Sequence, residues 1–320
     1  MGNRFLPPRH RKSCFNGNGC DPKNISMNNW KGPILVLLSA LCLSLNGTLQ
    51  ALAPEGATSL SICLVRMVVG SAFLFGWCAL SGRLPQKSPA ALPWKLLAVC
   101  ALCMLGAQSL FFIGLRYTGV AAGTVVNLAS IPIFSALIAA LFFHARQSAA
   151  WYAATAVAVA GTALLCGQGA DLTGTLAAMS LPILAGLCYA VYLVFNKRLP
   201  QDIAPEALMA LLMAMVALAY SPVLLFSPVD WVFSARGAMV ALGLGVVSAG
   251  LGFSFITAGL RHTEPTTAST LGLAEPMVAS CLGIFVLGED SSLPTLVGIL
   301  LVFASIVILI ASEARRRPGR

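Results

Sequence analysis

The chain has 320 residues, of which 58% are hydrophobic and only 10% are charged. About a quarter of a soluble domain is charged, so this composition excludes a soluble globular protein and predicts an integral membrane protein. The net charge of +9 would suggest a nucleic-acid partner in a soluble protein, but here the basic residues separate apolar segments. We therefore interpret the charge as a determinant of membrane orientation and expect no nucleic-acid partner.

Ten apolar segments are each long enough to cross a bilayer as a helix, which takes about 20 residues. Proline, glycine and charged residues mark the breaks between them. Because the connections are short, the sequence predicts an all-α integral membrane fold with ten transmembrane helices and no sizeable soluble domain. The predicted spans are 32–53, 60–80, 94–115, 120–142, 149–167, 174–195, 206–226, 237–258, 265–287 and 293–311.

Residues 1–29 and 313–320 form two basic tails outside the predicted spans. The composition of the first tail predicts disorder, and its basic residues offer contacts to anionic lipid. Met27 directly precedes the membrane part, so residues 1–26 need not belong to the native product. Ala51-Leu52-Ala53 resembles a signal-peptidase site, but the preceding apolar run has about 22 residues, which is too long for a signal peptide. We therefore expect the first span to be retained.

The distribution of lysine and arginine predicts the orientation. With a cytoplasmic N-terminus, seventeen of these residues lie on the inner side and two, Arg116 and Arg236, lie on the outer side. Basic residues are enriched in cytoplasmic loops. The sequence therefore predicts a multi-pass protein of the inner membrane with both termini in the cytoplasm.

The second half of the chain repeats a pattern of the first. The segment Gly114-Leu115-Arg116-Tyr117-Thr118 recurs as Gly259-Leu260-Arg261-His262-Thr263, and further matches keep offsets of 144 to 146 residues. We interpret 30–167 and 172–312 as two copies of one five-span unit. Because five is odd, the copies insert with opposite orientation. Inverted repeats are common in secondary transporters, whose halves rock around a site near the bilayer midplane.

These residues resemble the drug/metabolite transporter superfamily, in its ten-helix form with paired EamA domains. The second copy carries the motifs best, in Gly259 to Thr263, Glu275-Pro276 and Gly288-Glu289. The first copy departs from the pattern, with Ser130-Ile131-Pro132 in place of Glu-Pro and Phe143-His144 in place of Gly-Glu. The resemblance covers about residues 30–312. It implies export or exchange of small metabolites across the inner membrane, often coupled to protons.

The first span departs from the family pattern as well. Asn46-Gly47-Thr48 stands where relatives often have Trp-Gly-Ser-Asn. An aromatic contact made by that tryptophan in relatives is therefore not expected in this chain.

Glu275 is one of two ionisable residues that lie clearly inside a span, where such residues are costly and are functional candidates. It lies about 15 Å into span nine, near the midplane. The following Pro276 removes a backbone donor and frees carbonyl groups of the preceding turn. We interpret Glu275 as a proton-coupling or amine-binding group. The alternative is a structural carboxyl group that is hydrogen-bonded to a neighbouring serine or threonine.

Arg66 is the second such residue, about 9 Å from the outer end of span two. Its guanidinium group could bind a substrate carboxylate through two hydrogen bonds. The alternative is a side chain that extends to the outer membrane surface. A site with opposite charges at its two ends would suit a polar substrate such as an amino acid.

Neutral polar residues inside the spans are further candidates for contact with substrate, and the alternative for each is a hydrogen bond between helices. Pro132 and Pro276 lie at matched depths in the two repeats, so they are candidate hinges for alternating access or else static kinks. Tryptophans near span ends are expected at the membrane interfaces. The neutral candidates are Asn46, Gln108, Asn127, Tyr189 and Tyr192, and the tryptophans are Trp30, Trp94, Trp151 and Trp231.

The sequence thus predicts a secondary active transporter that exports or exchanges a small polar metabolite, such as an amino acid, by alternating access. Its expected partners are this solute, the lipid bilayer and protons, and a homodimer is among the assemblies left open. A passive channel or uncoupled facilitator is the alternative. An enzyme is the least expected class, because no paired carboxylates, histidine cluster or activated nucleophile can be identified. Neither a metal nor a cofactor is expected.

Overall fold

The computed structural model describes residues 22–84, 92–166, 176–287 and 292–316. Gly288-Glu289 and most of the two predicted tails lie outside these ranges. The described residues form helices α1 (Pro22–Ala51), α2 (Ser59–Leu80), α3 (Trp94–Thr118), α4 (Val120–Phe143), α5 (Ala149–Cys166), α6 (Leu176–Asn196), α7 (Pro205–Tyr220), α8 (Ala235–Leu242), α9 (Gly252–Leu260), α10 (Pro265–Gly272), α11 (Ala274–Leu287) and α12 (Leu293–Arg316).

Ten helical segments in the described part of the chain are long and apolar enough to cross a membrane. Eight of them contain a single α-helix each, with the seventh extended by a short 3₁₀ turn, Ser221–Leu225. Span eight joins α8 and α9 through a π-helix, Gly243–Leu251, and span nine joins α10 and α11. The predicted all-α membrane fold with ten spans is confirmed.

The helices of the two repeats interlock instead of forming two separate bundles. Helices α3 and α4 of the first repeat both pack against α6 of the second, and α2 packs against α7. Helix α1 lies against α9 and α11. Small residues allow the closest approaches: a Cβ atom on Gly114 would lie 2.8 Å from Pro182 Cδ. The space between the repeats is therefore bordered by helices from both.

Polar contacts join the helix ends that were predicted to be cytoplasmic. Arg83 after α2 forms an ion pair with Glu206 in α7 at 3.4 Å. Lys197 after α6 pairs with Glu264 before α10 at 2.8 Å. Arg261 donates to the carbonyl groups of Pro200 and Gln201 in the α6–α7 loop, both at 3.2 Å. The arginine of the repeated Gly-Leu-Arg motif thus ties the end of α9 to a neighbouring loop.

Two of the four tryptophans expected at the membrane interfaces lie in the protein interior. Trp151 is 4% exposed and Trp231 is 7% exposed, whereas Trp30 and Trp94 are both more than 40% exposed. The indole Nε1–H groups of the two buried rings donate to Thr266 O and Ser61 Oγ, both at 3.2 Å. Each buried indole therefore has its hydrogen-bond partner inside the helix bundle and not at the membrane surface.

Candidate functional site

A cavity of about 200 Å³ lies between the two repeats, and we call it the central cavity. Helices α1 to α4 supply one part of its wall, and α6, α9, α10 and α11 supply the other. Most of the wall is apolar, and a small set of polar side chains converges on it. This composition is typical of sites that bind small molecules, in which a few placed polar groups determine orientation and specificity.

Arg66 forms part of the central cavity wall and is only 4% exposed. Its Nη1 donates to Asn46 Oδ1 of α1 at 2.9 Å, and its Nη2 donates to Gln108 Oε1 of α3. The guanidinium group is thereby held inside the bundle by two amide oxygens and does not extend to the membrane surface. Gln50 also donates to Asn46 Oδ1, at 3.0 Å, which fixes the orientation of that amide.

Glu275 lines the same cavity from the second repeat. It lies in the first turn of α11, two residues after Leu273, which is the residue between α10 and α11. The N-terminus of a helix carries a partial positive charge, which stabilises an anion in its first turn. The interruption of span nine therefore provides a favourable position for a carboxylate deep in the membrane.

Arg66 and Glu275 do not form an ion pair, although both line the central cavity and both belong to the described residues. A cation and an anion in one enclosed space attract each other strongly when little water screens them. Because they are not paired, a guanidinium group is available on the side of α2 and a carboxyl group on the side of α11. Such a pair of groups can receive a solute that carries a carboxylate and an ammonium group.

Several polar atoms of the cavity wall lack a hydrogen-bond partner among the described residues. They include Arg66 Nε, Gln108 Nε2, Asn127 Oδ1 and Ser39 Oγ. A buried polar atom without a partner costs about 1–3 kcal/mol. The wall thus offers both donors and an acceptor that a polar solute could satisfy, and this requirement distinguishes the site from a packed apolar core.

Tyr189 and Tyr192 of α6, both predicted to contact substrate, have different surroundings. Tyr189 lines the central cavity. Tyr192 is fully buried behind it, with the two ring centroids 5.5 Å apart, and it does not contribute to the wall. Its hydroxyl oxygen accepts from Asn196 Nδ2 at 2.8 Å. That bond lies within α6, but the Tyr192 hydroxyl also donates to Met209 Sδ of α7 at 3.7 Å, which is a contact between helices, the alternative considered for it.

The two predicted hinge prolines also differ. Pro132 lies inside α4, which continues through it. Pro276 follows Glu275 in the first turn of α11, after the break between α10 and α11. Because Pro276 has no N–H group, it cannot donate to the carbonyl of Gly272, four residues earlier, and Gly272 also lines the cavity. Of the two, only Pro276 lies at an interruption of its span.

Sequence reasoning missed Ser39, Thr124 and Ser269, which also line the cavity. The first two lie at helical spacing from Asn46 and Asn127, which the sequence did identify. Ser39 lies seven residues before Asn46 on α1, and Thr124 lies three residues before Asn127 on α4. Positions three, four or seven apart share a helix face, so this spacing could have found them. Ser269 carries no comparable signal, because α10 contains several small polar residues.

Comparison with known proteins places the chain among membrane transporters. The "Uncharacterized transporter YwfM" of Bacillus subtilis is 30% identical over 286 residues, which are 89% of this chain and 96% of the relative. An "Uncharacterized transporter" of Archaeoglobus fulgidus is 24% identical and covers 87% of this chain and 95% of its own. The "Uncharacterized inner membrane transporter YicL" of Salmonella typhimurium is 27% identical over 70% of this chain and 74% of its own.

A solved protein structure has the same fold, with a TM-score of 0.76 at 16% sequence identity. It covers 89% of this chain and 98% of its own. The family model for the EamA-like transporter family matches twice, at residues 30–167 and 176–311. These matches correspond to the first five and the last five spans, which is the two-repeat organisation that the sequence predicted. The chain therefore belongs to the EamA-like transporter family.

Proposed function

We propose that this member of the EamA-like transporter family is a secondary transporter of the inner membrane that exchanges or exports a small zwitterionic metabolite, such as an amino acid. The observation that carries the proposal is the placement of Arg66 and Glu275 on opposite repeats, around one cavity and without an ion pair between them. Arg66 would bind the carboxylate of the solute and Glu275 its ammonium group.

The hydrogen bonds of Arg66 support its role in this proposal. Asn46 and Gln108 take up one hydrogen from each terminal nitrogen, and the Nε–H remains without a partner in the described part of the protein. A guanidinium group has five donors in a planar fork. The remaining donors match the two oxygens of a carboxylate, and the two amides fix the plane in which they point.

Proton coupling is proposed for Glu275 because of its environment. The carboxyl group lies about 15 Å into span nine, beside the cavity, and within the described residues it has no basic side chain paired to it. Holding such a group charged is costly in the membrane interior. Binding of a solute ammonium group would favour the charged form, and release would favour uptake of a proton. Alternating access around the repeat interface would then link the two movements.

The decisive experiment is counterflow in liposomes containing the purified protein, with the twenty common amino acids as a panel. An amino acid that exchanges is then compared with the corresponding amine, which lacks the carboxylate, and the corresponding acid, which lacks the amine. We expect exchange to require both groups. Loss of one charge-assisted contact is worth about 1.5–3 kcal/mol, so the apparent affinity for either truncated solute should fall about ten- to hundredfold.

Two substitutions assign the charged residues. Arg66→Gln should weaken discrimination against the amine that lacks a carboxylate. Because Glu275 is also proposed to bind the ammonium group, Glu275→Gln should abolish accumulation driven by a proton gradient, while counterflow continues with an apparent affinity about ten- to hundredfold lower. Glu55→Gln, an exposed acid outside the cavity, serves as the matched control. Gradient-driven accumulation that survives in Glu275→Gln would refute the coupling role. Flux without saturable exchange would favour the channel alternative.

A further inference from the structure

A group of polar side chains lies between α6 and α9, behind the wall of the central cavity. It consists of Tyr192 and Asn196 of α6 with Ser254 and Thr257 of α9, and we call it the inner polar cluster. All four residues are at most 5% exposed, and none of them lines the central cavity. Asn196 Nδ2 donates to the hydroxyl oxygen of Tyr192 at 2.8 Å and to Thr257 Oγ1 at 3.0 Å, so the cluster joins the two helices.

The inner polar cluster extends from the central cavity towards the end of α6 that was predicted to be cytoplasmic. Tyr192 packs against Tyr189 and Phe253, with ring centroids 5.5 Å and 6.3 Å away, and both of these residues line the cavity. Asn196 is the last residue of α6, and the side chain of the following Lys197 is 28% exposed. The cluster therefore bridges the cavity wall and a solvent-accessible end of the helix.

Two buried atoms of the cluster have no hydrogen-bond partner among the residues that the structure describes. They are Asn196 Oδ1, which can only accept, and Ser254 Oγ, which can donate or accept. Buried polar groups in proteins are nearly always hydrogen-bonded, and an ordered water with about three hydrogen bonds is a frequent partner where side chains do not suffice. A water molecule can donate to the amide oxygen and bond to the hydroxyl group at the same time.

The first repeat contains a matching pair of residues at the opposite end of the cavity. Asn46 and Gln50 each precede Tyr192 and Asn196 by 146 positions. In both pairs the amide of the later residue donates to the side chain one turn earlier, at 3.0 Å in α1 and at 2.8 Å in α6. Asn46 lines the central cavity and holds Arg66. Because the repeats are predicted to insert with opposite orientation, the second pair continues this line of polar groups towards the cytoplasmic end.

We infer that the inner polar cluster binds water and provides a path for protons between the central cavity and the cytoplasmic end of α6. Tyr189 is the residue of the cavity wall that adjoins the cluster, and its hydroxyl group is the connection we assign towards Glu275. A proton that leaves Glu275 is taken up by one oxygen as another proton leaves that oxygen, so the hydroxyl groups and the water end unchanged and a hydronium ion departs at the cytoplasmic end. The proton path rests on the proposed function, whereas the binding of water does not.

Radiolytic labelling tests the binding of water in the wild-type protein. When X-rays split a bound water molecule, the hydroxyl radical oxidises the side chains beside it, even where bulk solvent has no access. Met209 and Met213 lie one turn apart on α7 and are both fully buried. Met209 Sδ lies 3.7 Å from the Tyr192 hydroxyl, whereas the sulfur of Met213 lies beside Gly70 of α2.

Mass spectrometry should therefore find Met209 oxidised several-fold faster than Met213. Asn196→Leu removes the amide oxygen that accepts from the water and should reduce the oxidation of Met209 to the level of Met213. Equal rates for the two methionines in the wild-type protein would overturn the inference, and this comparison needs no variant to fold.

Coupled flux tests the proton path. In liposomes that contain a pH-sensitive dye, Thr257→Val should slow solute-coupled proton movement about tenfold, the rate factor expected for the loss of one buried hydrogen bond. Counterflow without a proton gradient should keep its wild-type rate, whereas damage to the fold would slow both. Thr162→Val is the matched control, since Thr162 of α5 is fully buried, has an unpartnered hydroxyl group within the described chain and does not line the central cavity.

The two measurements separate this inference from the proposed function. Solute-coupled proton movement that is equally fast in Thr257→Val, Thr162→Val and the wild type would refute the proton path, even if Met209 is labelled. Absence of coupled proton movement in the wild type would contradict the coupling role of Glu275 and the path together, while the labelling of Met209 would still decide whether the cluster binds water.

Discussion

Arg66 illustrates how single residues define the central cavity. The sequence left two interpretations of its positive charge: binding of a substrate carboxylate, or extension to the outer membrane surface. In the structure, Asn46 of α1 and Gln108 of α3 accept from its two terminal nitrogens. Sequence identified all three residues as polar groups in apolar spans, but only the packing of α1, α2 and α3 shows that they form one hydrogen-bonded group.

Substitution of Tyr192 tests which polar residues contact the solute. Tyr192→Phe removes a hydroxyl that accepts from Asn196 Nδ2 on the same helix and donates to Met209 Sδ of α7 at 3.7 Å. We expect it to destabilise the protein by about 0.6–1.7 kcal/mol, the range for hydrogen bonds between membrane helices. Asn196 Nδ2 keeps its second partner, Thr257 Oγ1 at 3.0 Å. We therefore expect a lower melting temperature in detergent and an unchanged apparent affinity for the transported solute.

Tyr189→Phe is the matched comparison, because Tyr189 lies on the same helix and lines the central cavity. It should change the apparent affinity in counterflow more than it changes the melting temperature. Equal effects of the two substitutions on affinity would show that the cavity wall, as described, does not define the contacts of the solute.

At the scale of whole elements, the interruptions of spans eight and nine distinguish the second repeat from the first. The corresponding helices of the first repeat, α3 and α4, are continuous, even though α4 contains Pro132. The hydropathy pattern cannot show such differences, because an α-helix and a π-helix bury an apolar segment equally well. The break before Glu275 depends on how α10 and α11 pack against α1, α4 and α5.

The close packing of the π-helix Gly243–Leu251 on α2 leads to a testable prediction. A Cβ atom on Gly245 would lie 2.4 Å from Val69 Cγ1 and 3.1 Å from the backbone nitrogen of Gly70 in α2. Gly245→Ala therefore requires span eight and α2 to separate, and such overpacking costs about 1–3 kcal/mol. We expect a lower melting temperature in detergent, measured by the fluorescence of a thiol-reactive or tryptophan reporter.

Gly76→Ala is the control for this experiment, since a Cβ atom at Gly76 of α2 would meet nothing within 4 Å. This substitution should leave stability unchanged or raise it slightly, because alanine has the higher helix propensity. A melting temperature for Gly245→Ala that matches that of Gly76→Ala would contradict the close packing of the π-helix on α2.

At the scale of the whole molecule, two five-span repeats interlock and share the central cavity between them. At one end of the molecule, Arg83 pairs with Glu206 at the start of α7, and Lys197 pairs with Glu264 just before α10. At the same end, Arg261 donates to the carbonyl group of Gln201 in the α6–α7 loop. Arg236 donates instead to Leu52 O at the opposite end, at 2.7 Å. This grouping agrees with the two sides to which the loop charges assign these residues.

A fusion experiment tests the orientation of the whole molecule. Green fluorescent protein placed after Arg320 should fluoresce in a bacterial host, because it folds in the cytoplasm. Alkaline phosphatase placed after Gly119, between α3 and α4, should be active, since it requires the periplasm. The same phosphatase placed after Arg146, between α4 and α5, should be inactive. The opposite pattern at any of the three positions would refute the proposed topology.

The sequence by itself determined the class of the protein, its ten spans and its duplicated organisation. These properties follow from the length of apolar segments and the spacing of repeated residues, and both are local or periodic features of the chain. It also indicated Glu275, Arg66, Asn46, Gln108, Asn127 and Tyr189 as candidates, because polar groups are costly inside a membrane.

Only the tertiary structure decided which of these residues face one space. It brought Arg66 and Glu275, which are 209 positions apart in the sequence, to the same cavity, and it placed Tyr192 behind Tyr189. It also showed that Pro276 lies at a break in its span and that Pro132 does not. The physical reason is that helices that are apolar on most sides can rotate about their axes without altering the hydropathy pattern. Their facing surfaces are therefore determined by close packing at residues such as Gly114, Gly186 and Gly245.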